Sequence, residues 1–211
     1  MGTCLEIGRV HIKYHLYPHL LISILFLAAS PMIMGLSNLD AAQTAKALDL
    51  YAVLLGVILL TPLFLPESDD AIRDLTASKY ISETKVWGVR LVQSVGFLLL
   101  LLLCFLALLK ARGCSFPFLT YYFGTLAGGL FLGGMGILAS SLADQVVVGY
   151  MVPMMYYVGN FGGPRYFGKF YLFSLMKGEA ADKLWLGIAG AVCIIIGMWY
   201  RRNSKSGNIR P

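Results

Sequence analysis

The sequence predicts an all-α polytopic membrane protein, and three observations carry that expectation. Of 211 residues, 58% are hydrophobic and only 13% are charged, against about 25% charged in an ordinary soluble domain. Six stretches carry no charge at all: Tyr14–Leu39, Leu50–Pro66, Leu91–Leu109, Gly113–Ala143, Gln145–Pro164 and Leu184–Tyr200. These runs lack the alternation of barrel strands, and backbone groups in lipid must be bonded internally, so helices are the expected spanning structure.

A helix needs roughly 20 apolar residues to cross about 30 Å of hydrocarbon. On that measure we expect one transmembrane domain of six spans, at residues 18–37, 50–65, 87–109, 118–142, 146–160 and 184–200. Residues 1–17 read as an interfacial segment in which Leu5, Ile7, Val10, Ile12 and Leu16 mix with Arg9, Lys13 and three histidines. That stretch lacks the basic start and short apolar core of a cleavable signal peptide. His11, His15 and His19 recur at spacing four, which puts them on one helix face. Three imidazoles can bind a metal, but no further ligand joins them, and amphipathic rings suit a headgroup layer equally well. Cys4, Cys104, Cys114 and Cys193 are scattered singly, giving neither a disulfide framework nor a metal spacing, and read as small core residues.

Pro31 interrupts the first span, and Pro62 with Pro66 ends the second. The fourth span contains Gly124/Gly128 and Gly129/Gly133, two pairs at the spacing that lets helix backbones approach closely. The fifth changes character after Val146: "PMMYYVGNFGGPRYFGKFYLF" sets helix breakers among aromatic rings, which suits an outer re-entrant segment between spans five and six. With both termini on one side, that side holds ten Lys/Arg and the other seven. The "RRNSKSGNIR" tail then places the termini, residues 201–211 included, in the cytoplasm of a bacterial cell. The net charge of +6 suits a neighbour of anionic lipid and gives no reason to invoke nucleic acid.

The segment Pro66–Trp87 stands apart, with eight charged residues between two greasy runs. It admits three readings. Asp70 and Asp74 make a D-x-x-x-D spacing, similar to the acidic patterns with which membrane-embedded prenyltransferases hold magnesium and a diphosphate. Such a site needs a second acidic cluster, and Asp144 alone does not supply one. A solvated loop, as in a sensor or assembly protein that transports nothing, is the second reading. The third starts from order in the pattern. Pro66 closes a span, acidic residues follow as a helix dipole prefers, Ser68 can cap, and Ile72 and Leu75 fall on one side of a short amphipathic helix. Such a helix is too short to be stable alone, and makes sense if something docks on it.

"LPESDDAIRDLTASKYISETKVWGVRL" resembles the segment between spans two and three in permease subunits of ABC transporters, the type-2 exporter class. There a Pro-Glu leads into an acidic helix and then R-D-x-x-x-S-K, matched here by Pro66, Glu67, Arg73, Asp74, Ser78 and Lys79. The resemblance implies a cytoplasmic coupling helix over 67–80 that docks on a separate ATPase subunit. Ile72 and Leu75 would seat in its groove, and Glu67, Asp70, Arg73, Asp74 and Lys79 would make the charged rim. It also implies a second permease subunit, identical or homologous. No catalytic residue and no cofactor are expected in this chain; ATP and magnesium belong on the ATPase. The nearest approach to a phosphate loop, "GPRYFGKF" (Gly163–Phe170), has Phe170 where a hydroxyl is required. Spans one, two, four, five and six carry no charge, and Arg90 at the inner end of span three is expected to reach the headgroup layer, which suits an amphipathic peptide, lipid or hydrophobic toxin as cargo, moved outward.

Overall fold

Long apolar runs free of strand alternation become helices. The computed structural model describes residues 8–35, 38–68, 83–179 and 181–207, and among these every regular element is helical. The first helix begins inside the expected interfacial segment. Residues 8–11 lead through a π-helical stretch, Ile12–Leu16, into α1 (Tyr17–Met34), which Gly35 ends in the left-handed conformation. The second is a composite: α2 (Ala41–Ala47), a π-helical stretch Leu48–Ala52, α3 (Leu54–Leu60) and a 3-10 stretch Thr61–Ser68 in which Pro62 breaks the helical dihedrals. Then come α4 (Glu83–Ala111), α5 (Phe118–Ala143), α6 (Val146–Gly159), the single turn α7 (Pro164–Phe167) and α8 (Asp182–Gly207).

Among the described residues, five helices are long and apolar enough to cross a membrane: Gly8–Met32, Ala41–Pro66, Thr84–Ala111, Phe118–Ala143 and Asp182–Ser204. Five such helices fit a multi-pass membrane protein. The expected fifth span is not among them. At 14 residues α6 is about 21 Å long, short of about 30 Å of hydrocarbon.

Two expected boundaries also move. The second helix starts at Ala41 rather than Leu50, because Asp40 and Gln43 cap it; the Gln43 side chain returns to the Asp40 amide at 3.4 Å. The last helix continues to Gly207, so residues 201–207 are helical.

The Ala41–Pro66 helix forms the centre with α5. Their apolar windows are 72% and 61% buried, against 17% for Gly8–Met32 and 28% for α4 and α8. Glycine sets the distance between these two. A Cβ on Gly56 would collide with the Gly129 carbonyl, and one on Gly133 would stand 2.6 Å from the Gly56 carbonyl oxygen. The same close approach joins α5 to α8, where a Cβ on Gly134 would meet the Gly190 carbonyl oxygen at 2.5 Å. Neighbours advance together along all three helices (Gly56 by Gly129, Thr61 by Gly136; Gly187 by Ala127, Gly197 by Leu138), so the three run parallel. Helix α6 runs against α5, with Gly149 beside Gly136 and Tyr156 edge-on to Phe131.

Candidate functional site

Asp49 and Lys183 were expected in outer loops, and every span but the third was expected to carry no charge. The structure places both inside the bundle. Asp49 is the second residue of the Leu48–Ala52 π-helical stretch, about 12 Å along its helix from Ala41. Lys183 is the second residue of α8. The parallel packing of both helices on α5 sets them side by side, with Lys183 Nζ 2.7 Å from Asp49 Oδ1 and both side chains at most 2% exposed. Gly128 lies beside the pair, and a Cβ there would stand at ordinary contact distance, 3.5 Å, from Lys183 Nζ.

A network extends from this pair to the place where α6 stops. Lys183 Nζ also donates to the Leu172 carbonyl. The Leu172 amide donates to Asn160 Oδ1 at 2.8 Å, and Asn160 Nδ2 donates back to the Tyr156 carbonyl at 2.8 Å. Asn160 is fully buried and directly follows α6. The Tyr157 hydroxyl donates to the Leu50 carbonyl at 2.8 Å, within the π-helical stretch that holds Asp49. Backbone amides of Leu175 and Met176 face the Asp49 carboxylate, although Oδ2 makes no hydrogen bond of ordinary geometry. Thr44 Oγ1, Thr125 Oγ1 and Ser174 Oγ are likewise buried without a hydrogen-bond partner. The pair is buried among apolar helices beside the segment that follows the short helix α6, where an ionisable side chain is costly unless it is paired.

The sequence-predicted docking residues Asp70, Ile72, Arg73, Asp74, Leu75 and Lys79 lie outside the described residues, and Glu67 falls in the 3-10 stretch Thr61–Ser68. The flanks of that segment are described, and they touch. Phe64 meets Trp87 edge-to-face at 5.5 Å between ring centroids. Arg201 of α8 lies 4.5 Å over the Phe64 ring and pairs at 3.1 Å with Asp144, which turns the chain from α5 to α6 with φ 50°. Four elements therefore meet at the Pro66 end of the bundle. Replacing Arg201 with Gln is expected to cost about 1–2 kcal/mol, since a desolvated cation–π contact contributes more than a pair with an exposed carboxylate. Asp144→Asn should cost well under about 1 kcal/mol. Unfolding in mixed detergent micelles, followed by circular dichroism, checks the order of the two.

Of the packing glycines, Gly129 and Gly133 lie against the second helix, Gly128 faces Val53 and Lys183, and Gly124 packs on Leu175. All four are used within the chain. His11 stacks on His15, and its Nδ1 is 3.0 Å from Gln93 Oε1, a hydrogen bond for the tautomer protonated there. No group of three His, Cys, Asp or Glu among the described residues is arranged to hold a metal ion. Arg90, expected to reach a headgroup layer, is instead 8% exposed and within electrostatic reach of His11 and His15. Gly8 and His11 both lie over Gln93 of α4, which brings the histidines to that helix. Cys104 is exposed, whereas Cys114 is buried.

Fold and site together define a class: an all-helical chain of the multi-pass membrane type with a buried charge pair at a helix break. No protein-family model, curated protein or solved structure matches this chain.

Proposed function

We propose that this chain is the membrane-spanning permease subunit of an ATP-driven transporter, coupled through residues 67–80 to a separate ATPase subunit. A second permease subunit completes the pathway, and the termini and the 67–80 segment face the cytoplasm. The reading begins from the resemblance of Pro66, Glu67, Arg73, Asp74, Ser78 and Lys79 to the coupling segment of type-2 ABC exporters. The observation that carries it further is the Phe64–Trp87–Arg201–Asp144 cluster. It clamps both flanks of the coupling segment to each other, to α8 and to the turn between α5 and α6. Force delivered to the segment would reach four elements as one body, as a rigid transmission requires. Cargo is an amphipathic or hydrophobic molecule exported from the cell.

The test is to isolate the protein from its native membrane and identify the chains that come with it. An ATPase is expected, and Ile72→Asp with Leu75→Asp should abolish its co-purification while the helical content by circular dichroism stays unchanged. Retention of the ATPase by that double variant would count against the docking role.

A further inference from the structure

At the end of the bundle opposite Pro66, α7, the segment that follows it and the start of α8 border a shallow, open bowl of about 910 Å³. Its wall carries three cations, Arg165, Lys169 and Lys177, and two carboxylates, Glu179 and Asp182. Two of the cations are held over rings: Lys169 over Trp185 at 5.6 Å and Lys177 over Tyr171 at 5.8 Å. At Ala181 the bowl adjoins a second cavity of about 380 Å³ between the starts of α5 and α8. That cavity is lined mainly by Leu119, Phe123, Ala127 and Leu184, of which Leu119, Phe123 and Leu184 are exposed apolar side chains.

Depth fits a lipid. Gly187 lies beside Ala127, so Asp182, five residues earlier, falls level with Tyr122, about 6 Å inside the start of α5. Asp182 and the cations that share its bowl then stand near the headgroup layer, where Trp185 and Tyr171 also prefer to be, and the apolar cleft, from Leu119 to Ala127 on α5, runs from that level towards acyl chains. We propose that this bowl and cleft bind an anionic phospholipid of the adjoining leaflet, its headgroup on Arg165, Lys169 and Lys177 and one acyl chain between α5 and α8. The two carboxylates limit the net charge to +1, which suits a singly charged headgroup and sets a modest selectivity. This inference is independent of the transport reading.

Trp185 supplies the readout, being 49% exposed beside Lys169, while Trp87 is 1% exposed. In a Trp199→Phe background, the full chain is reconstituted in zwitterionic vesicles containing brominated phosphatidylglycerol or brominated phosphatidylcholine. Quenching of Trp185 should report roughly fivefold tighter association of the anionic lipid, about what one net basic group contributes at a charged surface. The triple variant Arg165→Gln, Lys169→Gln, Lys177→Gln leaves only the two carboxylates and should bring that ratio below one, and Glu179→Gln should raise it severalfold. Since Glu179→Gln acts in the opposite direction, it keeps the test decisive even if the triple variant fails to fold. Equal quenching by the two lipids in the starting protein would overturn the proposal, as would a Glu179→Gln variant with no gain. Displacement of the brominated lipid by soluble inorganic phosphate alone would also overturn it, because the site would then bind a free anion.

Discussion

Lys183→Met is expected to destabilise the protein by about 3–5 kcal/mol, because it leaves the Asp49 carboxylate buried without its counter-charge. The methionine matches the lysine stem in volume, so packing alone predicts a far smaller loss. The variant also removes the donor to the Leu172 carbonyl, which ties the segment after α6 to α8. Proteolytic cleavage around Gly163–Phe170 should therefore accelerate alongside the drop in stability. Adding Asp49→Asn to Lys183→Met should recover most of the loss, since a buried pair replaced at both positions is often close to neutral. Detergent titration of the unfolding equilibrium for the two single variants and the double one gives the coupling between them. A loss below about 1 kcal/mol in Lys183→Met would mean that the pair is solvated like a surface salt bridge.

The second large effect falls on a methyl group. Gly56→Ala places a Cβ against the Gly129 carbonyl, and neither backbone can move without separating the two central helices. Overpacking of side chains typically costs about 1–3 kcal/mol; here the opposing atom is backbone, so the upper end or beyond is expected. Gly96→Ala provides the opposite outcome in the same protein. No atom lies within 4 Å of a Cβ at Gly96, and the residue is inside α4. There the higher helix propensity of Ala should add up to about 1 kcal/mol. Thermal unfolding of the two variants in one detergent compares them directly.

Much of the helix layout was legible in residue order. The apolar windows that end near Leu109, Ala143 and Tyr200 correspond to α4, α5 and the membrane-length part of α8. Errors arose where a charge was taken to end a helix. Asp49 and Lys183 were placed in loops on that ground, although D-A-A-Q at Asp40–Gln43 is a capping signal that starts the second helix earlier. Arg201 was read as part of a solvated tail, and its seat on Phe64 had no local signal. The G-x-x-x-G pairs lie on α5, which packs on the second helix and on α8, but their spacing did not mark Gly56 and Gly190 as the opposing surfaces. The charge-rich segment drew the reading of function from its own residues, whereas the clamp on its flanks is visible only in three dimensions.

Residue order by itself determined that this chain is helical and suited to a bilayer, because composition and the need to satisfy every backbone group in lipid leave little else. Only the tertiary structure decided which charges meet. Asp49 and Lys183 are 134 residues apart, and no periodicity links them. Their contact exists because glycines bring three parallel helices close enough for two buried side chains to compensate each other, and that compensation depends on distances which no local stretch of sequence encodes.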